Sequence, residues 1–191
     1  MQAAHDSIEV PALYLSRGAA TGRRVDLYSA FRAQRKLRER RKILHFNVTR
    51  NPSASWIVQQ MREAWPYASA HRFLIFDRDS KFSCDVVSAA QALASKPVRT
   101  AFRSPWQNGV AERWVGSCRR DLLDHVIVLN ERHLKRLMAE YVRYYHEDRT
   151  HLGLAKDTPA GRPVATRAGI GSRIHSLPRL GGLHHRYEQA A

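Results

Sequence analysis

The sequence is poor in cysteine and has no long apolar run. Its two cysteines, Cys84 and Cys118, form no Cys-x-x-Cys pair, which excludes a disulfide framework and a structural zinc cluster. No run approaches the roughly 18 apolar residues of a membrane-spanning helix, and residues 1–6 lack the charged-then-apolar order of a signal peptide. We therefore expect a cytoplasmic protein with no membrane partner.

Negative charge is also scarce, because 17 Asp and Glu stand against 32 Lys and Arg, for a net charge of +15. Clustered cations displace counterions from phosphates, so this excess favours a polyanionic partner, with nucleic acid as the leading candidate. The alternative is a soluble basic protein with a solvated cationic face. We expect no small-molecule cofactor, and 191 residues suffice for one domain with a substantial core.

The two ends of the chain lack the patterns of packed elements. Residues 1–41 show no sustained apolar periodicity, and the block 32–42 holds seven cations against one Glu. Such blocks are usually disordered or solvated helices, so we interpret residues 1–41 as a disordered or frameshifted segment. Residues 165–191 are rich in Gly, Arg and His without a clear period. We predict a weakly ordered tail there.

Residues 42–164 instead alternate predicted strands and helices. Apolar runs predict strands over 43–49, 73–76 and 98–101. Apolar residues at helical spacing predict helices from Pro52–Ser53 to Pro66, over 85–95, over 109–124 and through 134–145, the last capped near Asn130. Strands that alternate with helices favour an α/β fold with at least one parallel strand pair.

Two acidic residues occupy defined places in this pattern. Asp77 follows the apolar run 73–76, and Glu112 lies in the first turn of the helix that begins near Gly109, with 34 residues between the two acids. Carboxylates are the ligands that Mg²⁺ and Mn²⁺ prefer, so the pair suggests a metal site. Taken singly, Asp77 is also typical of a turn, and Glu112 of a helix start with local electrostatic value.

The segments 73–82 and 104–113 together resemble the second and third acidic positions of the Asp-Asp-Glu catalytic core. Retroviral integrases and bacterial insertion-sequence transposases share that core. The run 141–154 is similar to the Tyr-Asn-x-x-Arg-Pro-His-x-x-Leu ending of transposase cores, with Thr150 where Pro is commoner. The resemblance covers residues 42–164. It implies a ribonuclease-H-like fold and DNA strand transfer with Mg²⁺ or Mn²⁺, in which Asp77 and Glu112 are the catalytic and metal-holding residues.

The resemblance also implies DNA contacts from the helix that carries Glu112. A basic residue two turns after the Glu contacts DNA in the family, and Arg119 matches that position. Seven residues at 100° each place Arg119 about 20° from Glu112 around the helix. Arg113 and Arg120 lie farther round, where they would meet solvent or the DNA backbone, and such contacts position DNA without reading its bases. The alternative for Arg119 is an ordinary surface arginine.

The first acidic position of the family has no clear match. It lies on a first strand, followed by an apolar second strand, but no second apolar run precedes Ile43. Asp26 is a weak candidate for the position. We therefore predict a sheet that is incomplete at its first strands, with an exposed edge that favours self-association. The alternative to a strand transferase is a catalytically dead remnant that binds DNA or a protein partner in the bacterial nucleoid.

Overall fold

A computed structural model describes residues 12–20, 23–31, 41–66, 73–163 and 173–190. The strands are β1 (Ala12–Ala20), β2 (Arg23–Phe31), β3 (Ile43–Thr49), β4 (Phe73–Phe76), β5 (Lys96–Arg99), β6 (Arg173–Arg179) and β7 (His184–Ala190). The helices are α1 (Ala54–Ala64), α2 (Cys84–Ala92), α3 (Gly109–Asp121) and α4 (Glu131–Glu147). The chain divides into two compact units, Met1–Lys135 and Arg136–Ala191. No helix in the described ranges is long and apolar enough to span a membrane.

The first unit is built on a five-stranded sheet in the order β3-β2-β1-β4-β5. β1, β2 and β3 are antiparallel neighbours, whereas β4 is parallel to both β1 and β5. Parallel neighbours need a crossover connection, and α2 makes this connection between β4 and β5. The predicted α/β fold with a parallel pair is confirmed.

Two strands form where the sequence pattern predicts none. β1 and β2 pair over nine residues, and β1 joins β4 at Ala12 and Ile75. The prediction that the sheet lacks its first strands, and that residues 1–41 are disordered throughout, is therefore corrected for 12–20 and 23–31. β2 lies between two partner strands, and such pairing can override a weak local pattern. The remaining residues before Arg41 lie outside the described ranges.

The core beside β4 is well packed. Ser53 caps α1, since its Oγ accepts the N–H of Trp56 at 3.2 Å. The rings of Phe76 and Phe82 stack with centroids 5.3 Å apart. The buried members of this cluster are Ile57, Met61, Leu74, Phe76, Phe82, Val86 and Ala90. Each fully buried side chain of this size contributes about 1.5–3 kcal/mol, so the end of β4 is firmly positioned.

The predicted elements that follow are present with shifted ends. β5 lies two residues earlier than predicted, because its register pairs Lys96 with Phe73. α3 stops at Asp121, and a short 3₁₀ turn covers Leu123–His125. Burial, and then the charge of Asp121, raises the pKa of Cys118 to about 12, so this thiol is a packing group. Asn130 caps α4 as predicted, since its Oδ1 accepts the N–H of His133 at 2.8 Å.

The second unit contains a hairpin in the segment that was predicted to be weakly ordered. β6 and β7 pair in full from Arg173 and Ala190 to Arg179 and His184. The turn between them includes Gly181 and Gly182 at φ +67° and +94°, a backbone region that favours glycine. The prediction for the tail is thus corrected for residues 173–190. Hydrogen bonding between β6 and β7 forms this hairpin, although the segment has no apolar periodicity that would predict it.

Candidate metal and DNA site

Asp77 directly follows β4 and begins a hydrogen-bonded turn. Its Oδ1 accepts the N–H of Asp79 at 3.0 Å, and Asp79 Oδ1 accepts the N–H of Lys81 at 3.0 Å. Asp79 therefore has a structural role in this turn. Arg78 donates from Nε to the carbonyl oxygen of Thr100 at 2.8 Å, which ties this turn to the chain that leaves β5.

The electrostatic setting of Asp77 disfavours its ionised form. Burial is the largest cause and raises its pKa, and the negative charge of Asp79 acts in the same direction. The N–H of Asp79 and the charge of Lys81 lower the pKa but do not offset the rise. A nearby cation stabilises a carboxylate of this kind, so Asp77 fits a metal-binding role.

The topology brings the start of α3 to the same end of the sheet. The N–H of Thr100 donates to the carbonyl oxygen of Phe76 at 2.9 Å, so the carboxyl ends of β4 and β5 are joined. Two residues beyond β5, the N–H of Ala101 donates to Oε1 of Gln107 at 2.6 Å. This bond folds the loop back towards the end of β5, two residues before α3 begins.

Glu112 lies in the first turn of α3 and is partly buried. Asp77 thus directly follows β4, and Glu112 lies on the helix that comes after β5. Within residues 41–66, 73–163 and 173–190, no group of three or more His, Cys, Asp and Glu side chains is placed to hold a metal ion. The donor set suits a hard divalent cation in kind, but the described residues supply two carboxylates rather than three.

The first acidic position is not filled by β1. Extending the register of Ala12 and Ile75 by two residues brings Tyr14 level with Asp77, and β1 contains no Asp or Glu. Asp26 lies on β2, opposite Arg17 of β1. β1 lies between β2 and β4. The backbones of β2 and β4 are therefore two strand spacings apart, at roughly 4.8 Å per spacing. Asp26 stays a weak candidate.

The predicted DNA-contacting arginines of α3 are accessible. Arg113, Arg119 and Arg120 are all exposed. Arg119 Nε lies 3.2 Å from Oδ1 of Asp124, with 74% of the Arg119 side chain exposed. Sequence reasoning did not find this partner. An exposed ion pair contributes at most about 1 kcal/mol, so Arg119 can exchange Asp124 for a phosphate at little cost.

Comparison with known proteins concerns the fold of this chain. A family model described as an integrase core domain matches residues 93–159. This match covers about a third of the chain. The predicted resemblance to integrase and transposase catalytic cores, and the ribonuclease-H-like fold that it implies, are confirmed. No protein with a curated description matches the chain.

Solved structures show the same integrase-core fold. The simian T-cell lymphotropic virus intasome has a TM-score of 0.60 at 12% identity, over 96% of this chain and 67% of that one. The HTLV-2 integrase catalytic core with magnesium has a TM-score of 0.58 at 9% identity, over 81% and 95%. The Mos1 transposase catalytic domain has a TM-score of 0.52 at 12% identity, over 71% of both chains. At these identities the likeness concerns the fold.

Proposed function

We propose that this protein acts in DNA integration or transposition, as a metal-dependent phosphodiester strand transferase of a bacterial insertion sequence. The observation that carries the proposal is the partly buried Asp77 carboxylate with a raised pKa at the end of β4, together with Glu112 in the first turn of α3. The HTLV-2 core and the Mos1 domain are described with magnesium, which supports Mg²⁺ or Mn²⁺ as the ion that Asp77 and Glu112 would hold.

A divalent ion bound there would activate the attacking oxygen and stabilise the leaving oxygen of a phosphodiester. The chain's own groups have distinct tasks. The N–H of Asp79 fixes the orientation of the Asp77 carboxylate, and the dipole of α3 favours negative charge at Glu112. Arg119 supplies an exposed cation for the DNA backbone.

The test is a cleavage and joining assay with labelled duplexes that end in the sequences flanking the gene. The proposal expects nicked or joined product with Mg²⁺ or Mn²⁺ and none with EDTA, because the carboxylates need the ion for either step. Binding of these duplexes without product in either metal would contradict strand transfer.

A second candidate function is a catalytically dead remnant that binds DNA. The observation that favours it is the lack of any Asp or Glu on β1, the strand that neighbours β4. A frameshift in the upstream coding region would account for this lack, since out-of-frame translation replaces the first Asp without altering residues 42–164.

The frameshift is expected to be visible in the gene. Ala20 and Ala12 lie 23 and 31 residues before Ile43. Translation of the other two forward frames should encode an Asp on a strand-like run roughly 20–30 residues before Ile43, then a second apolar run. If neither frame encodes this arrangement, the frameshift is rejected, and Asp26 becomes the remaining acid for the first position.

DNA binding is proposed to include α3. Replacing Arg119 and Arg120 by Ala should weaken binding to unrelated duplexes and reduce the slope of log K against log salt by about 1.8, at about 0.9 per lost phosphate contact. The matched control replaces the exposed Arg62 and Lys96 by Ala, with the same loss of charge. An equal change in both variants, or no change in the first, would count against this DNA-facing helix.

Self-association also belongs to this proposal. The HTLV-2 core is described in dimeric and trimeric forms. The reason predicted from sequence, an edge left open by missing strands, does not apply, because β1 and β2 are present. The edge strand β5 carries Lys96, Pro97 and Arg99, which oppose edge-to-edge pairing. Any self-association is therefore expected away from β5.

A further inference from the structure

The solvent face of α4 carries a cluster of four cations. Arg132, Lys135, Arg136 and Arg143 are all exposed, and at 100° per residue they lie within an arc of about 100°. The exposed Ala139 lies near the centre of this arc. The opposite side of the helix is the buried one, with Leu134, Met138, Tyr141 and Tyr145. We call the four cations the α4 cationic stripe.

Carboxylates lie beside the stripe. Among the residues that the structure describes, none of its four cations makes an ion pair. Glu131 precedes Lys135 by one turn, but its Oε1 accepts the N–H of Arg50 at 2.7 Å instead. Glu140 and Glu147 lie outside the arc, about 20–40° beyond Arg136 around the helix, and each is four residues from a cation of the stripe. The stripe thus has carboxylates on one flank.

Repulsion between neighbouring cations of the stripe destabilises the helix. Arg132 is three residues from Lys135 and four from Arg136, and like charges at these spacings repel across one turn. A polyanion bound to the stripe would offset this repulsion.

We propose that the α4 cationic stripe is a second DNA-binding surface, which contacts the phosphates of duplex DNA without reading its bases. It consists of residues other than Asp77, Glu112 and the arginines of α3, and only the choice of DNA as partner rests on the proposed function. From Arg132 to Arg143 the stripe extends about 16 Å. Duplex DNA carries one charge per roughly 1.7 Å of its axis, so one duplex segment can engage all four cations.

The test replaces Arg132, Lys135, Arg136 and Arg143 together by Gln. These side chains are exposed, and circular dichroism checks that the fold is kept. Affinity for a 30-base-pair duplex is measured in EDTA between about 50 and 200 mM salt. At about 0.9 per phosphate, the salt slope should fall by about 3.6. The loss of affinity across this range should therefore be about a hundredfold smaller than in the wild type.

The matched control replaces four exposed cations elsewhere by Gln, namely Arg62, Lys96, Lys156 and Arg173. It removes the same charge and should keep most of the wild-type slope. An unchanged slope in the stripe variant, or an equal loss in the control, would overturn the proposal. A loss of salt slope that is seen with an RNA hairpin but not with the DNA duplex would also overturn the proposal.

The stripe and the proposed catalytic function can fail separately. Because binding is measured in EDTA, the Asp77→Asn and Glu112→Gln variants should show the wild-type slope. If the wild type shows no strand transfer but the stripe variant shows the expected loss of salt slope, the stripe still stands as a DNA-binding surface. Normal strand transfer with an unchanged slope in the stripe variant rejects the stripe alone.

Discussion

Replacing Asp77 by Asn, or Glu112 by Gln, should abolish metal-dependent nicking and joining of DNA. Each amide keeps the size of the side chain, and an Asn at position 77 can still accept the N–H of Asp79, but the charge that holds the cation is gone. Loss of a residue that hydrogen-bonds to a metal ligand already lowers metal affinity or activity by about 10–100-fold. Loss of a ligand itself should therefore lower activity by at least about 100-fold. Product formation is compared with the wild type, and DNA binding in EDTA should be unchanged.

Two control variants make this result specific. Asp79→Asn can still accept the N–H of Lys81 and removes a charge that raises the Asp77 pKa. Its activity should be retained, and the acid limb of its pH profile should move to lower pH, because Asp77 then ionises more readily. Glu63→Gln, on the exposed side of α1, should have no effect. Full activity in both Asp77→Asn and Glu112→Gln would exclude this metal site.

Local sequence patterns predicted the elements that carry the candidate site. The apolar run 73–76 placed β4, and the following Asp-Arg-Asp pattern placed the turn whose side-chain acceptors hold Asp77 and Asp79. Ser53 and Asn130 are caps that the sequence shows directly. These features depend on interactions between residues close in the chain, which is why a single sequence was sufficient.

The features that sequence reasoning missed depend on distant residues. β1 and β2 are held by pairing with β4 and β3, and apart from the short apolar run 12–15 no sustained pattern marks them. The hairpin β6–β7 depends on a glycine turn and on contacts with Asp148. The pKa of Asp77 depends on burial by packing around β4. None of these contacts has a spacing or period that can be seen before the fold is known.

Asp148 is the carboxylate on which the second unit should depend most. Only 4% of its side chain is exposed, and it accepts hydrogen bonds from Nε of Arg179 and, at 2.9 Å, from Nη1 of Arg186. The two donors come from β6 and β7, and Asp148 immediately follows α4. His184 of β7 also stacks on Tyr144 of α4, with ring centroids 4.7 Å apart. The carboxylate therefore joins both hairpin strands to the end of the helix.

The Asp148→Ala variant should lower the free energy of opening of the hairpin by about 3 kcal/mol. This is the lower end for a broken buried ion pair, because Arg179 and Arg186 keep 31% and 27% of their side chains exposed. Hydrogen exchange of the β6 and β7 amides measures the change. Asp124→Ala, in the exposed pair with Arg119, is the control and should cost less than about 1 kcal/mol. Equal protection in the Asp148 variant and the wild type would contradict this role.

The pH dependence of the hairpin has a definite sign. Burial of Asp148 by itself would raise its pKa, but the hydrogen bonds and charges of Arg179 and Arg186 outweigh burial and lower it. A carboxyl whose folded pKa is depressed contributes stability above its unfolded pKa of about 3.9. That stability is lost as the pH falls through the lower folded pKa. Protection of the β6 and β7 amides should therefore be constant from neutral pH down to about pH 5 and decrease below pH 4. In Asp148→Asn this acid-dependent step should vanish, because the amide has no proton to gain, and an unchanged step would assign it to another group.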